Sequence, residues 1–180
     1  MITRKIQREL DGKCLSVFDA SFSTEYVYRV TVNEMAVEIT EEKLAAAFQK
    51  AYPFEFIKKD IDEADYAVVA EIEETIAGFA SVKYEDWNNR ARLTGIFVAP
   101  ESKGKGIGRA LVESVIDFAK TKSARCLFVE TQNVNYPAIR FYRKLGFEFC
   151  GFDSTLYNPA EVSAGEIAFY FCKILSNENS

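Results

Sequence analysis

One stretch of this 180-residue chain limits its fold more than any other. Leu93 to Val98 reads as a strand, and Pro100 stops it. Lys103-Gly104-Lys105-Gly106-Ile107-Gly108-Arg109 follows, with three glycines at alternate positions. Within Gly106 to Lys122, Ile107, Leu111, Val115 and Phe118 recur at helical spacing. Cys126 to Val129 is a short continuous apolar run, suited to a strand buried on both faces. Strand, glycine-rich turn, helix and strand in this order make a right-handed crossover between parallel strands.

The turn carries chemistry as well as topology. Glycines let backbone N–H groups approach a ligand, and a helix N-terminus adds a partial positive charge. Lys103, Lys105 and Arg109 add full charges, so the stretch reads as a phosphate cradle. A P-loop needs GxxxxGK[ST], which does not follow Gly104. A dinucleotide fingerprint needs glycine where Arg109 stands. The competing reading is a tight strand-to-helix turn with solvated basic residues.

Tyr66 to Ile72 and Ile76 to Tyr84 read as a hairpin joined across Glu73 to Thr75. Glu85 to Asn89 is turn-like apart from Trp87. Pro137 can start a helix that ends at Gly146, and Phe147 to Gly151 and Ile167 to Ile174 look like final strands. Residues 1–40 are harder to read: Val17-Phe18 and Tyr26 to Val32 suggest strands. Thr40 with Glu41 and Glu42 predicts a helix start, with Leu44, Ala47, Phe48 and Ala51 on one face and Pro53 ending it. Lys58 to Asp65 reads as a charged loop, and Ser176 to Ser180 as a frayed end. The expectation is one domain over residues 1–180, an α/β or α+β sandwich on a mixed sheet.

Composition narrows the function. Histidine is absent, which removes His triads and His metal sites. Acid–base work falls to Asp, Glu, Tyr, Lys, Cys, backbone or water. Cys14, Cys126, Cys150 and Cys172 form no CxxC pair, so no metal is expected, and the last three sit in apolar runs that predict buried, reduced thiols. The formal charge of −5 argues against non-specific nucleic-acid binding and suits a cationic substrate. The first residues have no apolar signal core, and no run approaches the ~20 apolar residues of a membrane span. A cytoplasmic protein with neither a nucleic-acid nor a membrane partner is the simplest expectation, and a homodimer is compatible with it.

Lys103 to Gly108, following Val98-Ala99-Pro100, resembles the acetyl-CoA-binding loop of the GNAT N-acetyltransferase superfamily, although Lys103 stands where that loop usually has Arg or Gln. Asn135, Ala138 and Phe141-Tyr142-x-Lys144-x-Gly146-Phe147 resemble the family's later helix and strand. The likeness covers about Tyr66 to Ile174. It implies a mixed, mostly antiparallel twisted sheet with a central splayed parallel pair, flanked by helices. It implies that acetyl-CoA lies along Ile96, Phe97 and Val98, with Val98 N–H at the acetyl carbonyl. Gly104, Gly106, Ile107, Gly108 and Arg109, with Lys103 and Lys105, would hold the pyrophosphate. Asn135 would contact the pantetheine, with Phe141 and Lys144 nearby. Tyr142 would be the general acid; the competing reading is a packed aromatic. Many relatives carry a base on the first splayed strand, where this chain has Thr94 and Gly95. Glu130 is then the candidate base or ammonium binder, Asp153 a third possibility, and an amine of depressed pKa would need none.

Within the superfamily, Trp87-Asn88-x-Arg90, Glu130-Thr131-Gln132-x-x-Asn135 and Asp153-Ser154-Thr155-Leu156-Tyr157 resemble the streptothricin acetyltransferases. This implies acetylation of a β-lysine amine on a cationic antibiotic. Glu85, Asp86, Glu130 and Asp153, edged by Trp87 and Tyr157, would receive the ammonium groups. The bland reading is a solvated acidic loop and core aromatics. Acetylation of a polyamine or a protein N-terminus, and a non-catalytic acyl-CoA sensor, stay open.

Overall fold

The computed structural model describes residues 1–163 and 165–175. The expectation for Ser176 to Ser180 lies outside the described residues. The elements run β1 (Ile2–Lys5), α1 (Arg8–Leu15), β2 (Ser21–Asn33), β3 (Ala36–Ala51), α2 (Phe54–Asp62), β4 (Tyr66–Ile72), β5 (Thr75–Glu85), β6 (Arg90–Val98), α3 (Ile107–Thr121), β7 (Cys126–Gln132), α4 (Tyr136–Lys144), β8 (Glu148–Asp153) and β9 (Ala168–Ile174). Seven strands form one sheet in the order β1-β4-β5-β6-β7-β9-β8, and β2 and β3 form a separate two-stranded ribbon. The seven-stranded sheet is mixed: β1, β4, β5 and β6 pair antiparallel, and β6 pairs β7 in parallel. The expected class and central parallel pair are therefore present. Among the described residues no helix is long and apolar enough to cross a membrane, and no group of three or more His, Cys, Asp or Glu could hold a metal ion.

The chain divides into two compact units. In the first, Glu73 and Glu74 turn β4 into β5 with both φ angles positive, the geometry of a tight hairpin turn. Alternation along β5 sends Gly78 toward Ile107 and Leu111 of α3 and Phe79 to the opposite face. There Phe79 shares a core with Leu15, Ile57, Ile61 and Val69. Helix α3 forms because Ile107, Leu111, Val115 and Ala119 make one buried stripe. In the second unit, Asn135 Oδ1 accepts the Ala138 N–H at 3.2 Å to start α4, and Gly146 at φ 80° ends it. Phe169 and Phe171 of β9 pack edge-on against Phe149. Asn133 donates to the Tyr28 and Gly165 carbonyls and accepts from Ile167 N–H, tying the chain before β9 to β2.

Four expectations fail. Thr40 to Ala51 is not a helix but most of β3. Its apolar residues do recur at helical intervals, yet the aromatic and β-branched run of β2 needs a partner, and Phe48 packs on Phe22 across the ribbon. Lys58 to Asp65 is largely helical, because Ile57 and Ile61 are buried by α2. Val17-Phe18 is no strand; it leaves α1, and Phe18 meets the edge of Phe79 at 5.3 Å. Cys150 is exposed and Cys172 half-buried, while Cys126 is buried as expected. Cys150 lies on β8, an edge strand with one flank open. Residues 1–40 also hold β1 and α1, which local pattern did not announce.

Arg4 of β1 grips Asp11 of α1 through two bonds, 2.7 and 2.8 Å, and also reaches Glu71 of β4. The guanidinium holds the buried Asp11 carboxyl below its usual range. That stabilisation is present above the ordinary carboxylate value, about 3.9, and is lost as pH falls through the lower folded value. Denaturant midpoints measured against pH should therefore show a flatter acid limb in Asp11→Asn than in the wild type. A Cβ at Gly78 would stand 2.8 Å from the Phe97 carbonyl oxygen and 3.1 Å from both Ile107 and Leu111. Gly78→Ala should cost about 1–3 kcal/mol, read as a lower midpoint at unchanged slope.

Candidate active site

The central feature is one edge of β6. Its parallel pairing with β7 includes Ala91↔Leu127, Arg92↔Phe128 and Leu93↔Val129. β6 continues to Val98, paired with β5 from Ser81↔Gly95 to Gly78↔Val98. The Ala99 N–H donates to the Ala77 carbonyl at 2.9 Å. Antiparallel strands alternate the direction of their backbone groups. Phe97 therefore turns its N–H and C=O toward β5, whereas Ile96 and Val98 turn theirs to the opposite edge. The Phe97 ring goes to the core, stacked on Phe79 at 5.2 Å and edge-on to Tyr52.

The same strand feeds the glycine turn. Gly104 at φ 80° and Gly106 at φ 84° occupy the left-handed region, and a Cβ on either would meet nothing within 4 Å. Glycine stands there for conformation, and the space above the turn is open. Gly106 caps α3, its carbonyl accepting the Ala110 N–H at 3.1 Å. The cap residue Gly106 has no side chain to bond the first N–H groups, and the first turn has no acidic residue. Ile107 is buried and anchors the helix start, next to Gly108. Lys103, Lys105 and Arg109 are exposed; Lys103 Nζ donates to the Ser21 carbonyl at 3.2 Å, and Arg109 is 4.0 Å from Glu113. Oriented N–H donors, a positive helix end and three cations fit a pyrophosphate.

On the core face of β6, a bulge between Ser81 and Val82 shifts the register opposite Thr94. Thr94 Oγ1 donates to the buried Ser81 Oγ at 2.8 Å. A Cβ at Gly95 would lie 3.2 Å from Ser81 Oγ and 3.4 Å from Asp60 Oδ2 of α2. Asp60 is a polar group that reading 58–65 as a loop overlooked. The signal that finds it is the Ile57, Ile61, Ala64 spacing, which makes the segment a helix with Asp60 beside its buried stripe.

In the second unit, the Tyr157 hydroxyl donates to Glu130 Oε1. Tyr142 is buried, its ring 5.5 Å from Phe141, 5.6 Å from Phe147 and 6.4 Å from Phe171. Lys144 is exposed at the end of α4, and Asn135 is the cap of that helix. Asp153 accepts from the Thr155 N–H and hydroxyl at 2.7 and 2.8 Å, which hold its carboxyl below the usual range. Glu85, in the first unit, is already engaged by Arg90 at 2.5 Å and Arg92 at 3.1 Å. Arg90 in turn lies 3.9 Å over the Phe128 ring. Asp86 and Trp87 sit on an exposed turn, Trp87 at 80% exposure. The structure thus joins Glu130 with Tyr157, and it commits Glu85 to two arginines.

Residues 33–147 match the acetyltransferase (GNAT) family. The chain is 37% identical over 168 residues to streptothricin acetyltransferase of Streptomyces lavendulae, covering 89% of this chain and 88% of that protein. It is 31% identical over 138 residues to streptothricin acetyltransferase A of Bacillus subtilis, covering 73% and 76%. Among solved structures, nourseothricin acetyltransferase superposes with a TM-score of 0.86 at 34% identity, covering 96% and 97%. A Bacillus anthracis structure assigned as a streptothricin acetyltransferase, solved in complex with acetyl coenzyme A, gives 0.79 at 25% identity, covering 97% of each chain. A family match across more than half of the chain, with the parallel strand pair and glycine turn in place, makes this protein a member of the GNAT acetyltransferase family and an acetyl-CoA-dependent N-acetyltransferase.

Proposed function

We propose that this enzyme acetylates the β-lysine amine of streptothricin and so protects a cell from that antibiotic. The observation that carries the substrate is the likeness to a streptothricin acetyltransferase along nearly the full length of both chains. Bound acetyl-CoA supplies an acetyl group activated as a thioester. In this reading the Ile96 and Val98 backbone groups pair with the amides of the pantetheine arm. The Val98 N–H takes up charge that develops on the acetyl oxygen. The backbone of Gly104 to Arg109 holds the pyrophosphate, with Lys103, Lys105 and Arg109 lending charge. Asn135 meets the pantetheine arm, and Phe141 and Lys144 lie beside it. Tyr142 gives its hydroxyl proton to the departing sulfur. Glu130, oriented by Tyr157, receives a cationic group of the acceptor, and Asp153 adds negative charge. Acetylation removes a positive charge and its donors from the drug, which weakens its hold on a polyanionic target. The setting is cytoplasmic, where acetyl-CoA is made and spent.

Coenzyme A release with streptothricin, spermidine and a peptide panel tests the substrate. Rapid turnover at micromolar streptothricin is expected. Turnover of spermidine or a peptide, with streptothricin inert, would discard the antibiotic. Tyr142 sits among three phenyl rings, so Tyr142→Phe keeps the packing and loses only the hydroxyl. Its turnover should fall roughly 10²-fold or more with acetyl-CoA affinity unchanged. A fully active Tyr142→Phe enzyme would remove the general-acid assignment.

A further inference from the structure

We propose that Asp60, carried by α2 over Gly95 of β6, is the carboxylate that takes the proton from the acceptor amine. The inference rests on amine acetylation, not on which amine is used. A primary ammonium with an ordinary pKa near ~10.4 is protonated at neutral pH and cannot attack. This chain has no histidine to relieve it. β6 itself carries no carboxylate between Arg90 and Val98. The space a side chain at 95 would use is approached instead by Asp60 Oδ2, 3.4 Å from the Cβ position.

The placement is built, not incidental. Ile57 and Ile61 bury α2 against the core, and Asp60 falls on the same side of the helix, half-buried. A residue larger than glycine at 95 would crowd both Asp60 and Ser81. Thr94 Oγ1, Ser81 Oγ and Asp60 Oδ2 therefore gather three oxygens beside the Phe79 and Phe97 rings. A bulge adjoins them, a feature that often re-aims groups beside active sites. A titratable neighbour here is Tyr52, whose ring packs on Phe97, and Arg8 of α1 donates to the Ile61 and Ala64 carbonyls at the end of α2. Gly95, Ile96 and Val98 share β6, and α2 sets the Asp60 carboxylate over the first of them.

An N–H bond of the ammonium breaks and its proton passes, through a water, to Asp60 Oδ2. The freed lone pair forms a C–N bond to the acetyl carbon. The C–S bond breaks with its electrons on sulfur, which takes the Tyr142 proton; the nitrogen gives up its second N–H proton to solvent to become a neutral amide, and solvent carries the Asp60 proton back to Tyr142.

The test is kcat/KM against pH from about 6 to 10, with streptothricin and with spermidine at saturating acetyl-CoA. Asp60→Asn is expected to lose roughly 10²-fold at pH 7 and to recover as rising pH deprotonates the amine. Asp60→Glu should keep part of the rate at pH 7, and acetyl-CoA affinity should hold in both. An unchanged rate in Asp60→Asn, or a loss of the same size at every pH, overturns the proposal. So does a pH-rescued loss in Glu130→Gln with none in Asp60→Asn. A wild type that acetylates spermidine but not streptothricin counts against the antibiotic alone, and Asp60 is then judged on spermidine.

Discussion

The parallel ladder between β6 and β7 includes Ala91↔Leu127 to Leu93↔Val129, and the rest of the chemistry follows from the stretch of β6 beyond Leu93. Backbone N–H and C=O groups near a core must find partners. Past Leu93, Ile96 and Val98 turn theirs away from β5. Water can satisfy them, but an extended chain of amides satisfies them as a strand would. β6 then ends at Pro100, and the glycine turn and the uncapped start of α3 follow directly. An amide-reading edge and an anion-reading turn are thus consecutive in the chain. One strand and one helix N-terminus suffice to bind a ligand with amides at one end and phosphates at the other.

That adjacency explains why this part was legible without a structure. Alternating glycines, a proline stop and an apolar stripe act over a few residues, so local pattern carries them. The β4–β5 hairpin was legible for the same reason. Residues 40–51 were not: Leu44, Ala47, Phe48 and Ala51 suit a helix as well as a strand, and the decision lies with β2, the partner across the ribbon. α2 failed in the opposite way. Its charges at Lys58, Lys59, Asp60 and Asp62 read as solvated loop, yet Ile57 and Ile61 are buried to the point of setting the segment as a helix.

The candidate carboxylates show how little charge alone says about a site. Glu85 belongs to an acidic pair in sequence, and folding hands it to Arg90 and Arg92. Glu130 keeps a polar partner in Tyr157, which orients the carboxylate without cancelling its charge. Asp60 is brought to Gly95 by helix packing across 35 positions of chain, which no local pattern can reveal. The absence of a side chain at 95 and the presence of a carboxylate above it are one arrangement seen from two places in the sequence.

Tyr142 shows that packing and chemistry need not compete for one side chain. The ring lies among Phe141, Phe147 and Phe171, as a core aromatic should. A phenol that donates a proton must sit still relative to the atom it protonates, and a ring held on several sides does so at little entropic cost. The aromatic cluster is then the means by which α4 aims a hydroxyl. Burial, which taken alone argues for a purely structural tyrosine, is what the proposed acid requires.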